Sequence, residues 1–293
     1  MISINTNYGG LFASKAASQS QRILDTAMER LSTGKRINYA TDDAAGQAIA
    51  VRLEAEIQGI AMASRNVADA QSLMDTADGA LAETHNILLR MRELAVQASN
   101  GTLNSDDNAA LDAEFQQLEA EIDRIASSSK WAGSDMFTGT ARVFHIGTKA
   151  SDTLSHTIAE MGAHKLGVDS AGPDGKLSTD TGGVADDDTD NIDADLTDAT
   201  KAAAMITAVD NAIKLVSTER GKLGALSNRL SSTITNLDQV RVNLSASQGR
   251  IQDADFAEES ANLAKNQILQ QAGTAMLAQA NASKSTVLTL IQN

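Results

Sequence analysis

A seven-residue apolar repeat in the first third of the chain constrains its fold more than any other feature. From Ile60 to Ala98, small or apolar residues recur at intervals of three and four, and only Thr84 interrupts them. A repeat held this long is typical of a helix with a coiled-coil seam. It predicts one helix from Asp42 to about Ser99, about 85 Å long at 1.5 Å per residue. The seam consists of Leu53, Ile57, Ile60, Ala63, Val67, Ala70, Met74, Ala77, Leu81, Leu88, Met91, Ala95 and Ala98.

A second, shorter seam indicates another helix downstream. It follows residues 100–102, where Gly101 provides a stop because glycine tolerates the left-handed conformation that ends helices. Either Ser105 or Asp106 is expected to cap the new helix. Its seam residues are Leu111, Phe115, Leu118, Ile122 and Ile125.

A third seam lies in the last third of the chain. Arg220 and Ser227 occupy positions between its apolar residues, and Arg220 can reach solvent from its apolar stem. Three helices with matched seams predict a bundle. The third seam consists of Ala202, Ile206, Val209, Ile213, Val216, Leu223, Leu230, Ile234, Leu237 and Leu244.

Alternating residues between the second and third seams predict a β-hairpin with strands at 142–146 and 153–158. His145 and His156 are expected to face each other across it, which offers at best a weak metal-ligand pair. Neither His85 nor His164 completes the two-histidine helical pattern of a zinc hydrolase. The pattern therefore favours a structural hairpin.

Residues 169–198 predict an exposed acidic loop. They contain the single proline, Pro173, and a run of aspartates that carries more than half of the net charge of -14. Asp186, Asp188 and Asp190 have the spacing of a calcium loop. However, asparagine follows where glycine is needed and Thr197 stands where a bidentate glutamate is needed, so a solvated loop is favoured.

Composition excludes several function classes. The chain has no cysteine, which removes disulfides, thiolate ligands and cysteine nucleophiles. Its acidic balance argues against nucleic-acid binding. No apolar run is long enough to cross a bilayer, and the N-terminus has no pattern of a cleaved leader. With no strained nucleophile motif, no cofactor site and no metal site in the pattern, we expect a protein that is not an enzyme.

The two chain ends differ from the rest because they are almost uncharged. The first 21 residues carry only Lys15 as a charged side chain and the last 28 only Lys284, although 21% of the chain is charged. We expect both ends to be buried in an assembly and disordered before it forms. The residues predicted to form this inner assembly are Ile23, Leu31, Leu263, Ile268, Leu277, Val287 and Ile291.

Three segments resemble the bacterial flagellin family. They are RLSTGKRINYATDDAAGQAIA at 30–50, LRMRELAVQ at 89–97, and RIQDADFAEESANLAKNQILQQAG at 250–273, followed by AQAN at 278–281. Their order and their distances from the termini match the family as well. The resemblance covers residues 1 to about 168 and 199–293.

The resemblance implies a mainly α fold: a long coiled-coil-like helical rod formed by the N- and C-terminal segments, with a small β-hairpin region and no large outer domain. It implies an inner core domain from 1–41 and 249–293. The outer core domain is expected at 42–168 and 199–248, and the acidic variable loop at 169–198. Because the usual proline is missing from the last dozen residues, we expect the final helix to be continuous.

The resemblance also implies a function. Such a chain is a structural subunit that is exported unfolded by the flagellar type III system and polymerises into the extracellular filament used for swimming. Its expected partners are copies of itself, an export chaperone, and the cap and hook-filament junction proteins, with no nucleic acid, membrane or cofactor. The alternatives are the hook-filament junction protein itself, a secreted translocator or tip protein, and, last, an enzyme.

A family-based expectation concerns the vertebrate innate receptor for flagellin. Arg90, Leu94 and Glu114 fall on the family positions that contact this receptor and the neighbouring protofilament. Without the resemblance, Arg90 would be interpreted as a solvated charge beside the seam.

Overall fold

A computed structural model describes residues 6–168 and 196–292, with the side chains of residue 199 and of residues 284–293 outside the description. Within these ranges the fold is mainly α, with two small antiparallel hairpins and no large outer domain, as predicted. The acidic segment at 169–195 and its calcium alternative lie outside the described residues. The elements are α1 (Tyr8–Thr33), α2 (Ala44–Ala98), α3 (Ser105–Ser128), β1 (Lys130–Trp131), β2 (Ser134–Asp135), β3 (Ala141–His145), β4 (Thr153–Thr157), α4 (Ala163–Leu166), α5 (Ala199–Gln252) and α6 (Phe256–Gln292).

The chain divides into two compact units. The terminal unit consists of Met1–Gln58 and Val240–Asn293, and the central unit of Gly59–Gln239. The finer division into domains that the resemblance implies, with boundaries at 41/42 and 248/249, stays a prediction.

Helices α1 and α6 form the terminal unit's main pair, and they run antiparallel. At one end, the Asn7 amide donates to Asn281 Oδ1 at 3.1 Å. At the other, Arg30 pairs with Glu259. Helix α6 continues to Gln292 without interruption, as the missing proline predicts.

The connection after α1 is tied to the connection before α6. Helix α1 ends at Gly34, whose φ of 70° places it in the left-handed region that glycine tolerates. The Ala254 N–H donates to the Gly34 carbonyl at 3.0 Å, and the Arg36 N–H donates to the Gln252 carbonyl at 2.7 Å. Backbone hydrogen bonds therefore hold these two stretches together although they are more than 200 residues apart in sequence.

The seam predicted for α2 is confirmed in the central unit. Every predicted seam residue from Ile60 to Ala98 is buried, and Thr84 is buried with them. The Thr84 hydroxyl donates to the Ala80 carbonyl at 3.1 Å, which satisfies its polar group within the helix. Phe115 and Ile122 of α3 join this core.

The seam predicted for α5 is wrong at every second position. Ala202, Val209, Val216, Leu223 and Leu230 are buried as predicted. Between them, however, the buried residues are Met205, Ala212, Glu219 and Leu226, rather than Ile206, Ile213, Arg220 and Ser227. A heptad repeat allows spacings of three then four or four then three, and the isoleucines favoured the wrong order. Ile206 and Ile213 instead pack, partly buried, at the edge of the core.

Helix α3 is capped one residue before the predicted position. The Asp107 N–H donates to the Asn104 side chain at 2.8 Å, and the Asp107 carboxylate accepts the Asn104 N–H in return. This reciprocal pair is a capping box, with Asn104 instead of Ser105 or Asp106 as the cap.

The predicted hairpin is present as β3 and β4, but its two histidines do not face each other. His145 pairs with Thr153, and His156 pairs with Arg142. Because side chains alternate between the faces of a strand, His145 points to the exposed face and His156 to the partly buried one. The expected ligand pair is therefore absent. The smaller β1–β2 hairpin, which turns through Ala132 and Gly133 at positive φ, was not predicted.

Candidate assembly surface

Small side chains make much of the contact between α1 and α6. A Cβ added to Gly273 of α6 would lie 3.3 Å from the Ala17 Cβ of α1, so the two backbones approach closely. On α1 the buried residues are Ala13, Ser20, Leu24 and Ala27. Leu24 is the one large apolar residue among them, and most of the other large apolar side chains of α1 and of the described part of α6 are exposed.

The outward side chains form an extensive apolar surface on the terminal unit. Tyr8 and Phe12 of α1 are 70% and 77% exposed, and Ile268 and Met276 of α6 are 66% and 63% exposed. Most of the large apolar side chains exposed among the described residues belong to this unit. Scattered apolar exposure is ordinary, but a concentration on one unit indicates an interaction surface.

The residues predicted for the inner assembly lie in these helices, with different exposures. Ile23 and Ile268 are exposed, whereas Leu31, Leu263 and Leu277 are half-buried. Val287 and Ile291 belong to α6, but their side chains lie outside the described residues. Sequence reasoning missed the exposed aromatic and large apolar residues Tyr8, Leu11, Phe12 and Met276, although the same uncharged segments contain them.

The two units differ in formal net charge. The terminal unit contains ten basic and ten acidic side chains, so its formal net charge is zero. The whole net charge of -14 therefore falls on residues 59–239. Copies of the terminal unit can approach one another without net repulsion, whereas copies of the central unit repel.

Two of the three predicted receptor contacts form a surface ion pair on the central unit. Arg90 Nη2 lies 2.8 Å from Glu114 Oε1, and Arg90 Nη1 lies 3.0 Å from Glu93 Oε2. Hydrogen bonds from Arg90 to Glu114 and then to Glu93 raise the pKa of the Arg90 guanidinium. The third residue, Leu94, is 1% exposed and packs in the core beneath them. Arg90 and Glu114 are thus open to solvent and Leu94 is not, and the receptor contact stays a prediction.

Metal clusters and membrane-spanning helices are absent from the part of the chain that the structure describes. Residues 6–168 and 196–292 contain no group of three or more His, Asp or Glu side chains that could hold a metal ion. In the same ranges no helix is long and apolar enough to cross a membrane.

Comparison with known families identifies the chain. The bacterial flagellin N-terminal helical region matches residues 4–142, and the bacterial flagellin C-terminal helical region matches residues 206–291. The chain belongs to the bacterial flagellin family. Together the two matches span most of α1 to α3 and of α5 and α6, which are the elements that build both units.

Curated relatives agree over the full length. The chain is 40% identical over 310 residues to a flagellin of Bacillus subtilis (strain 168), covering 99% of each chain. It is 38% identical over 301 residues to the flagellar filament 33 kDa core protein of Treponema phagedenis, again covering 99% of each. Members of the flagellin family are structural proteins, and this flagellin is a subunit of the flagellar filament.

A solved structure supports the fold alone. A flagellar hook-associated protein from Vibrio parahaemolyticus matches with a TM-score of 0.57 at 17% identity, covering 72% of this chain and 100% of that chain. At this identity the likeness does not favour the hook-filament junction alternative. The names of the full-length relatives favour the filament subunit.

Proposed function

We propose that this flagellin polymerises into an extracellular helical filament through the outward apolar side chains of its terminal unit. The observation that carries the proposal is the combination of zero net charge and concentrated apolar exposure on that unit. Burying apolar surface contributes roughly 25 cal/mol per Å². The burial of several large apolar side chains per subunit can therefore hold copies together. Contacts between different patches of identical subunits extend into a helical filament when the rotation between neighbours does not close into a ring.

The acidic central unit has a complementary role in this proposal. With the whole net charge of -14, it stays hydrated and keeps the polymer soluble, while the neutral terminal units associate. The chain then acts as a structural element and carries out no catalysis.

The proposed partners follow from the same surface. Before assembly, the exposed apolar side chains of α6 need protection from aggregation, which an export chaperone in the cytosol provides. After export, the cap and hook-filament junction proteins meet the same helices at the two ends of the filament. The domain assignment proposed with this function places residues 1–41 and 249–293 in the inner core.

A matched pair of substitutions tests the assembly surface. Ile268 is 66% exposed on the terminal unit and Val143 is 62% exposed on the central unit. We expect Ile268→Ser to raise the critical concentration for growth on filament seeds at least about tenfold, because it removes a buried apolar contact from a repeating interface. Val143→Ser should leave it within about twofold.

Sedimentation of seeded reactions measures the critical concentration, and electron microscopy checks the product. Circular dichroism of each monomer shows that the helices are retained. Equal effects of the two substitutions would contradict the proposal.

The second proposed interaction is recognition of the monomer by the vertebrate innate receptor through Arg90 and Glu114. It is supported by their exposed ion pair. Arg90→Ala should weaken the response of receptor-expressing cells to purified monomer. Arg124→Ala, which removes a comparable exposed pair with Glu121, should not. No response to wild-type monomer at saturating dose would overturn this interaction and leave the filament proposal intact.

A further inference from the structure

The terminal unit contains a groove between α1 and α6 that combines apolar and cationic walls. Its volume is about 350 Å³. Ile23 and Ala27 supply the apolar lining on α1, and Arg22 and Arg30 project from the same helix. Glu259 of α6 is the single acidic side chain in the lining. The groove therefore carries an excess of one positive charge.

Arg22 is the arginine of the groove whose donors are open to a second molecule. Arg30 Nη1 donates to Glu259 Oε1 at 2.8 Å, but Arg30 Nε is buried with no hydrogen-bond partner. Arg22 is exposed, and within residues 6–168 and 196–292 its guanidinium has no hydrogen-bond or ion-pair partner. Because Arg30 is already paired with Glu259 and its Nε is closed to solvent, an acceptor from outside the chain is expected at Arg22.

We propose that this groove is the polar recognition element of the filament interface and receives a carboxylate, amide or main-chain oxygen from a second copy of the chain. The inference rests on the proposed assembly through the terminal unit. A guanidinium holds oxygen acceptors in a fixed, often bidentate geometry, which adds register to an apolar contact that has no direction of its own.

A second copy fits the groove better than a free anion does. Ile23, which lines the groove, is 43% exposed and continues into the apolar surface of the unit. A small inorganic anion would leave this apolar wall in water, whereas a peptide surface covers the wall and presents an acceptor together. Continuity with the proposed assembly surface therefore selects another terminal unit as the occupant.

Arg22 is the residue to substitute, because changing Arg30 would also break its pair with Glu259. We expect Arg22→Gln to raise the critical concentration for seeded growth about tenfold, since a charge-assisted hydrogen bond is lost in each subunit contact. Arg22→Lys, which keeps the charge but loses the planar fork, should have a smaller effect in the same direction. Arg52→Gln is the matched control, because Arg52 is an exposed arginine of the terminal unit outside the groove lining.

The outcomes separate this inference from the assembly proposal. Circular dichroism of the monomers must first show unchanged helix content. The proposed role of the groove is overturned if Arg22→Gln grows at the wild-type critical concentration. It is also overturned if Arg22→Gln and Arg52→Gln raise the critical concentration equally. If Ile268→Ser still raises the critical concentration in that case, the apolar assembly surface stands without the groove. If Ile268→Ser also grows normally, both proposals fail.

Discussion

Glu219 Oε2 lies 3.0 Å from Lys222 Nζ, at a position of α5 where the seam otherwise buries apolar side chains. The Glu219 side chain is 3% exposed, whereas that of Lys222 is 60% exposed. The other carboxylate oxygen accepts the Ala159 N–H at 3.4 Å. A buried charge is tolerated here because a cation reaches it from the surface and a backbone donor reaches it from the segment after β4.

Removing this carboxylate should destabilise the central unit. Glu219→Ala leaves a cavity in the seam and the Ala159 N–H without its acceptor, so we expect a loss of about 2–4 kcal/mol in the free energy of unfolding. Glu219→Gln keeps an acceptor and should cost about 1 kcal/mol. Urea unfolding of the monomer measures both. Lys222→Gln should cost about 1–3 kcal/mol, because the buried charge then keeps only the Ala159 N–H; no loss would contradict this account.

The capping box of α3 gives a second prediction. The Asn104 side chain accepts the Asp107 N–H and is the N-cap, so Asn104→Ala should cost about 1 kcal/mol. Ser105 follows the cap, and Ser105→Ala should change stability by less than about 0.5 kcal/mol. Hydrogen exchange of the first-turn amides of α3 would locate the effect. A larger loss of stability for Ser105→Ala than for Asn104→Ala would show that Ser105 is the N-cap, as predicted from the sequence.

The sequence predicted elements where one pattern excluded the others. In α2 every predicted seam residue from Ile60 to Ala98 is buried, and Leu73 and Leu94 widen the buried face beyond the prediction. In α5 the isoleucines at 206 and 213 competed with Met205 and Ala212, and only packing against the other helices decides between them. Strands β1 and β2 have two residues each, which is too short for any period to be recognised.

The candidate surface was predictable in its location but not in its details. The lack of charge marked both chain ends as an assembly region. It could not indicate which side chains face outward, because that depends on the contact between α1 and α6. The helices α1 and α6 approach closely at Gly273 and Ala17, and Phe12 and Met276 remain exposed.

Two glycines should respond oppositely to alanine. A Cβ at Gly224 of α5 would meet nothing within 4 Å, so Gly224→Ala should stabilise the helix by about 0.5–1 kcal/mol through the lower entropy of the unfolded chain. At Gly273 the same gain is opposed by the 3.3 Å approach to the Ala17 Cβ, so Gly273→Ala should bring no gain or a loss. Local free energies from amide hydrogen exchange measure both. An equal gain at Gly273 would show that α1 and α6 can separate at little cost.

His156 predicts a pH dependence for the central unit. Burial lowers the pKa of His156 from its ordinary 6.5; the Glu219 carboxylate opposes this shift, and Lys222 adds to it. Its Nε2 is buried without a partner, in keeping with a neutral ring in the folded chain. Below pH 6.5 the unfolded chain binds a proton that the folded chain resists. The free energy of unfolding therefore decreases as the pH is lowered below 6.5, and this loss of stability is absent well above pH 6.5. Urea unfolding between about pH 7.5 and pH 5 should show a smaller fall for His156→Gln than for the wild type. NMR titration of the ring checks the cause directly, because a His156 midpoint at or above 6.5 would be incompatible with this explanation.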